Sequence, residues 1–142
     1  MKTFEKRSLQ INAAKKIIKH AEAKAEELGM KIAITIVDES GVLKAFSRMD
    51  GAPLIAVGAS RKKAVTAVGF GLSTGSAWYE FIKDDPILMH GAQSFDDFTL
   101  LGGGLAIIVD GQIVGAVGVS GGHYSHDEQC AKAGLAALEG SD

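Results

Sequence analysis

Two apolar runs near the end of the chain are separated only by Asp110-Gly111, and this feature most restricts what the chain can fold into. The runs read LAIIV (105–109) and QIVGAVGV (112–119). Aspartate followed by glycine suits the tight turn of a two-residue β-hairpin, in which both turn residues take a positive φ. The sequence therefore predicts two adjacent antiparallel strands and a fold that supplies a sheet around them.

A second hairpin is predicted over residues 31–51. Isoleucines at 32, 34 and 36 alternate with other residues, a turn lies in Asp38–Gly41, and a second strand covers Val42–Met49. Alternation of this kind is typical of a strand with two different faces.

Three helices and two short helical pieces complete the chain. The helices are predicted at about 8–28, 54–68 and 126–138, and the short pieces at 73–83 and 86–91. Ser8 is expected to cap the first helix and Gly29 to end it. The small residues of the second helix would allow close packing on a sheet or on a partner. The order α-β-β-α-α-β-β-α predicts one α+β domain, residues 1–142, with a mainly antiparallel sheet flanked by helices.

Composition excludes several classes of function. Hydrophobic residues make up 46% of the 142 residues and charged residues 23%, which indicates a globular domain rather than a disordered chain. The net charge of −2 gives no basic footprint for nucleic acid or for an anionic membrane. A single cysteine excludes an internal disulfide framework. The first residues, MKTFEKRSLQ, contain no apolar signal region, so a cytoplasmic location is expected.

Four motifs, in order and at these spacings, resemble the GlcG/HbpS haem-binding family, which also occurs as the C-terminal domain of PduO-type corrinoid proteins. They are AITIVDESGVLKAFSRMDGA (33–52), RKKAVTA (61–67), GGGLAIIVDGQIVGAVGVSGG (102–122) and DEQCAKAGLAAL (127–138). The resemblance implies a profilin-like fold and a homo-oligomer, commonly a tetramer to an octamer. For some members it implies binding of haem or a related tetrapyrrole. The loop at 122–126 departs from the family pattern, so the resemblance does not assign a haem ligand to any residue of this chain.

The segment SGGHYSHDEQC (120–130) brings many polar and ionisable side chains together at the start of the last helix. Ser125 and Glu128 have the spacing of a capping box, and Asp127 would complement the positive end of the helix. This assignment leaves His123 free as an axial haem ligand or as a general acid or base.

The same segment also contains three possible metal ligands. His123, His126 and Cys130 could supply two imidazoles and a thiolate to zinc, although a buried and unreactive Cys130 fits its small-residue surroundings equally well.

A ligand-binding site is predicted where the glycine-rich turns precede a helix and a strand. The amides of Gly121 and Gly122 could hold an anionic group. Gly102 and Gly103 would likewise let a ligand come close to the backbone. The alternative interpretation is that both stretches are simply tight turns. The candidate ligand-binding residues are Arg48, Asp50, Lys63, Gly102, Gly103, Ser120, Gly121, Gly122 and His123.

Some of these candidates have a structural alternative. Arg48 and Asp50 would face the same side of a strand end, either as a local ion pair or with Arg48 orienting a carboxylate. Lys63 could join them or lie on the surface. Trp78, Tyr79 and Phe81 are expected in the core or at a subunit interface.

Three functions remain open at this stage. The first is a small-molecule-binding homo-oligomer with haem as the candidate ligand. The second is an isomerase-type or hydrolase-type enzyme acting on a small organic acid, with His123 as acid or base. The third is a structural partner in a larger catabolic complex.

Overall fold

A computed structural model describes residues 1–140 and shows an α+β fold built on one four-stranded sheet. The helices and strands, in chain order, are α1 (Ile11–Glu27), β1 (Ala33–Asp38), β2 (Leu43–Arg48), α2 (Ile55–Phe70), α3 (Ser76–Ile82), α4 (Pro86–Gly91), a 3-10 turn (Ala92–Ser94), β3 (Gly104–Val109), β4 (Gln112–Ser120) and α5 (Tyr124–Ala136). The predicted fold class is confirmed. The two hairpins and the long helices follow in the predicted order, but three helices, α2, α3 and α4, lie between the hairpins where the predicted order has two.

The sheet consists of the two predicted hairpins placed side by side. The strand order is β2-β1-β4-β3, and each neighbouring pair is antiparallel. Asp110 and Gly111 both have positive φ values, 51° and 79°, as the tight hairpin turn requires. The sheet edges are therefore β2 and β3, and β1 and β4 lie in the middle.

Helices cover both faces of the sheet. α1 and α5 pack on the face that carries Ile34, Ile36 and Val117. α2 packs on the opposite face, where Val37 and Ala116 meet its small residues. Among residues 1–140, no helix is both long and apolar enough to cross a membrane.

Two predicted helix starts are wrong. α1 begins at Ile11 after Gln10, so Ser8 does not cap it, and Gln10 makes no side-chain cap in its place. α5 begins at Tyr124 rather than His126. Gly29 follows α1 with a φ of 72°, the left-handed conformation predicted for its end.

The connection between α2 and β3 folds around the only tryptophan. Trp78 is buried, with the rings of Phe70, Phe81 and Phe98 edge-on to it at centroid distances of 4.7, 5.7 and 5.1 Å. Trp78 therefore has the predicted core role. Tyr79 and Phe81 are half-exposed.

Candidate functional site

The predicted glycine turns meet at one end of the sheet. Gly102 packs so tightly against Tyr124 that an added β-carbon would lie 3.4 Å from Tyr124 Cδ2. Gly103 has a φ of 125°, and a β-carbon there would collide with Val119 O. The glycines thus let the turn before β3 lie directly against the start of α5.

A buried ion pair lies behind these turns. Lys63 Nζ of α2 donates to Asp127 Oδ2 of α5 at 2.9 Å and to Val119 O of β4 at 2.8 Å. The side chains are 2% and 1% exposed. The remaining carboxylate oxygen, Oδ1, accepts from the amide of Gly122 at 3.0 Å. One pair of side chains therefore connects α2, the end of β4 and the first turn of α5.

Burial and the nearby Asp127 shift the pKa of Lys63 in opposite directions. Burial disfavours the charged ammonium and lowers the pKa of Lys63, whereas the hydrogen bond and the charge of Asp127 raise it; burial prevails. Such a lysine is stable in its place only because a carboxylate and a carbonyl replace its lost water.

The capping box predicted for α5 is wrong, because His123 is the N-cap. Its Nδ1 accepts from the amide of Ser125 at 3.2 Å, and Ser125 is the second residue of the helix. Glu128 lies 3.5 Å from Lys132 instead of reaching back to the cap. Asp127 is held by Lys63 and Gly122 in addition to lying in the first turn.

The cap selects one tautomer of a neutral His123 ring. A neutral imidazole carries one N–H, so an Nδ1 that accepts from Ser125 leaves the hydrogen on Nε2. Ligation of a metal through Nε2 requires the proton on Nδ1, which can then donate to Ser125 Oγ, 2.7 Å away. Ser125 thus offers a partner to either tautomer, but only one tautomer caps the helix.

An open cleft of about 340 Å³ lies beside these features. It is lined almost entirely by apolar atoms of residues from α3, from the segment before β3 and from the first residue of α5: Gly75, Ser76, Tyr79, Leu100, Leu101, Gly102 and Tyr124. Tyr79 and Tyr124 are about half-exposed. The His123 ring contacts the Tyr124 ring, with 4.2 Å between their centroids.

The predicted ligand-binding residues divide into cleft and support. Gly102 lines the cleft and His123 adjoins it. Lys63, Gly103 and Ser120 are buried behind it.

The two glycines after Ser120 are also used within the protein. The Gly122 amide is not open to an anion, because Asp127 accepts its hydrogen bond. Gly121 packs against Ile32, where an added β-carbon would come within 2.8 Å of the Ile32 Cα. This stretch is therefore a tight turn supported by its neighbours.

Arg48 and Asp50 lie away from the cleft. Arg48 is the last residue of β2 and pairs with Ala33, which pairs in turn with Ser120. Two strand spacings put the Arg48 backbone about 10 Å from that of Ser120. Asp50 follows the strand in a turn, so strand alternation does not place it on the Arg48 face. Both side chains are exposed, and within residues 1–140 they form no ion pair with each other.

The three predicted metal ligands do not come together. Cys130 is fully buried in the core between α1 and the sheet. Burial and the nearby Asp127 charge raise the pKa of its thiol to about 11, which favours an unreactive thiol. His123 and His126 are exposed, with ring centroids 6.4 Å apart. No group of three metal-binding side chains occurs in the described part of the chain.

Sequence reasoning missed Tyr79 and Tyr124 as cleft walls and Asp127 as the partner of Lys63. A signal for Lys63 was present, because Ala56, Ser60, Lys63 and Ala67 fall on one helix face and are all buried. A lysine within a stripe of small buried residues requires a buried acidic partner.

A family model described as "Haem degrading protein HbpS-like" matches residues 9–136. The chain belongs to the HbpS-like family. This confirms the resemblance inferred from the four motifs. Protein GlcG of Escherichia coli strain K12 is 37% identical over 120 residues, which are 84% of this chain and 85% of GlcG.

Solved structures agree with this HbpS-like assignment. The Klebsiella pneumoniae protein ORFY matches with a TM-score of 0.90 and 26% identity, over 100% of this chain and 98% of that one. A structure described as a PduOC:heme complex matches with a TM-score of 0.79 and 26% identity, over 93% of this chain and 96% of that one.

Proposed function

We propose that this HbpS-like protein binds haem or a related tetrapyrrole in the cleft between α3 and the start of α5. The observation that carries the proposal is an apolar cleft with two tyrosine rings in its walls and a histidine beside it. The similarity to PduOC, whose structure is described as a haem complex, supports the same ligand class.

The residues of the cleft fit such a ligand. Its volume of about 340 Å³ lies within the usual range for small-molecule sites. Tyr79 and Tyr124 offer flat apolar faces to a planar ring and keep a hydroxyl for the solvent edge. Leu100 and Leu101 complete an apolar wall.

The protein offers two candidate iron ligands, and histidine and tyrosine both serve as axial ligands in haem proteins. His123 is exposed and can present Nε2 while its Nδ1 donates to Ser125. Tyr124 lines the cleft directly. We infer His123 as the ligand, with the chain holding its ring against Tyr124.

Titration with haemin, followed in the Soret region, tests the site. We expect saturable binding by the wild type and at least tenfold weaker binding by Leu101→Asp, which places a charge in the cleft wall; tenfold corresponds to about 1.4 kcal/mol. Leu101 is 54% exposed, so the fold should tolerate the change. Ile87→Asp is the matched control, because Ile87 is 83% exposed on α4 and does not line the cleft. Equal weakening by both variants, or no saturable binding by the wild type, contradicts the proposal.

A second set of variants tests the ligand. His123→Asn retains a good N-cap but cannot ligate iron, so its affinity should fall at least tenfold, about 1.4 kcal/mol, without loss of fold. His126→Asn should have a smaller effect. If His123→Asn binds like the wild type and Tyr124→Phe does not, Tyr124 is the ligand.

We also propose that the protein is a homo-oligomer of four to eight copies. Large apolar side chains are exposed on and just before the edge strand β2 and α2: Val42, Leu43, Phe46, Leu54 and Ile55. Exposed apolar surface of this kind is typical of subunit contacts. The buried small residues of α2 do not contribute to this argument, because they pack on the protein's own sheet. Light scattering should give a mass of four or more chains of 14.8 kDa. A monomeric mass at micromolar concentration contradicts it.

A role for His123 as acid or base in an enzyme, a structural role in a complex and the cytoplasmic location stay predictions.

A further inference from the structure

Asp127 is buried behind the cleft, where it contacts residues that support both walls. On one side, a β-carbon added to Gly103, next to the cleft residue Gly102, would lie 3.1 Å from Asp127 Cβ. On the other side, Asp127 Oδ1 accepts from the Gly122 amide, two residues before Tyr124. The carboxylate is thus placed to fix both walls while contacting no open space itself.

Because burying this carboxylate costs free energy, we expect it to do more than fill space. A buried ion pair is no more stabilising than well-packed apolar residues of similar volume. An apolar residue at 127 could pack against Gly103, but it could not accept a hydrogen bond from Gly122. The carboxylate therefore supplies the hydrogen bond to Gly122, which an apolar side chain cannot make.

The residues that follow Gly122 need this support. His123 and Tyr124 are exposed, so packing restrains their rings only partly. The Gly121-Gly122 pair has no side chain to hold the turn. This turn is tied to the helix at three points. These are the amide of Gly122, the carbonyl of His123, which accepts from the amides of His126 and Asp127, and the Nδ1 of His123, which accepts from the amide of Ser125.

We propose that Asp127 is a positioning residue for the cleft, and that Lys63 serves to balance its charge. Through the Gly122 amide, Asp127 fixes the turn at 122–124 and thereby places Tyr124 in the cleft wall and His123 beside it. The proposal rests on the haem site proposed above. It assigns Lys63 a supporting role in place of the ligand contact predicted from the sequence.

Two double variants separate positioning from stability. Lys63→Met with Asp127→Leu removes both charges and the acceptor for Gly122. Lys63→Met with Asp127→Asn also removes both charges, but the asparagine amide oxygen can still accept from Gly122. We expect haemin affinity to fall at least tenfold in the leucine variant and to stay within threefold of wild type in the asparagine variant. Equal affinity of the two folded variants overturns the proposal.

A measurement without ligand keeps this test independent of the haem proposal. Hydrogen exchange of the Gly122 amide should be at least tenfold faster in the leucine variant than in the asparagine variant. If the wild type binds no haemin but this difference in exchange is found, the haem proposal fails and the positioning role stands. If exchange at Gly122 is the same in both, the positioning role fails.

A second pair of variants covers the case in which a double variant does not fold. Gly122→Pro removes the donor N–H and leaves the ion pair intact. Gly122→Ala adds a smaller side chain and keeps the N–H; its β-carbon would lie 2.7 Å from the terminal methyl of the flexible Met30 side chain. The proline variant should bind haemin at least tenfold more weakly than the alanine variant. Equal binding by these two contradicts the role of the Gly122 bond.

Ile34→Ala provides the control for general destabilisation. Ile34 is fully buried on the face of the sheet that α1 and α5 cover, and it does not line the cleft. Its loss should lower the melting temperature while the haemin affinity of the folded protein stays within twofold of wild type. A tenfold loss of affinity there would mean that affinity follows stability, and would overturn the assignment of Asp127.

Discussion

The two faces of the sheet are packed in different ways. Toward α1 and α5, branched side chains such as Ile34, Ile36 and Val117 fill the space between sheet and helices. Toward α2, the backbone itself comes close: a β-carbon on Gly118 would collide with Ser60 O and lie 2.7 Å from Ala64 N. The packing of the first face depends on the volume of its side chains. The packing of the second face requires small residues that let the backbones come close.

The difference explains where polar groups are buried. On the α2 face, Thr35 and Ser60 share a hydrogen bond 2.8 Å long, and Lys63 of α2 reaches Asp127 of α5 at the end of β4. Short distances between backbones place carbonyls such as Val119 O within reach of a buried lysine. The candidate cleft lies beside the Lys63–Asp127 pair, and the apolar face contributes mainly to stability. The two faces should therefore respond differently to substitution.

The largest effect is expected from breaking the ion pair on one side only. Asp127→Leu leaves the Lys63 ammonium buried without its partner, which should cost about 3–5 kcal/mol of unfolding free energy. The leucine variant combined with Lys63→Met should recover most of that loss. Urea denaturation measures both. Arg7→Gln, which breaks the exposed Arg7–Asp110 pair, is the control and should change stability by about 0–1 kcal/mol. If Asp127→Leu loses no more unfolding free energy than Arg7→Gln, the burial of Lys63 does not depend on Asp127.

The next largest effect is expected on the apolar face. Ile34→Ala should cost about 2–5 kcal/mol, because a cavity remains where the side chain was. Ile34→Val should cost only about 0.5–1.5 kcal/mol. Thermal or urea unfolding gives the two values. A similar cost for both variants would mean that this face relaxes around the lost volume.

On the α2 face, the added volume should be the damaging change. Gly118→Ala should cost about 1–3 kcal/mol, since Ser60 and Ala64 must move away. Gly58→Ala is the matched control on α2: it is exposed and has nothing within 4 Å of an added β-carbon. That variant should gain up to about 1 kcal/mol from better helix propensity. A neutral Gly118→Ala would contradict the close approach of α2 to β4.

A smaller loss is expected at the cap of α5. His123→Ala should cost about 1 kcal/mol, whereas His123→Asn should retain the cap and most of the stability. Ser125→Ala should cost less than His123→Ala, since Ser125 is not the cap residue. The order of melting temperatures tests this, and a larger loss in Ser125→Ala would restore the capping box.

The smallest expected signal is the reactivity of Cys130. At pH 8 the native thiol should not react with a thiol reagent, and it should react fully in urea, because it is buried and its pKa is about 11. The raised pKa also means that its contribution to stability is present below about pH 9 and lost as the pH rises toward 11. Cys130→Ala should remove this part of the pH dependence. Rapid reaction of the native thiol would contradict the burial.

The sequence predicted the fold more completely than the site. Alternating isoleucines and the Asp110-Gly111 turn depend on local geometry, and both hairpins form as expected. The partner of Lys63 is 64 residues away, so no local pattern pairs it with Asp127. The spacing rule predicts a capping box at Ser125 because it does not include a histidine as N-cap. The cleft joins three separate segments, and no spacing in the sequence brings Tyr79 together with Tyr124.

The most direct test of the account maps ligand contacts on the two faces. A diamagnetic metalloporphyrin can be titrated into isotope-labelled protein and followed by amide chemical shifts. We predict changes at residues 75–79, 100–102 and 122–124, with little change along α1 or at Ile34 and Ile36. Changes concentrated on the α1 side of the sheet, or none that saturate, would contradict a haem cleft beside the Lys63–Asp127 pair.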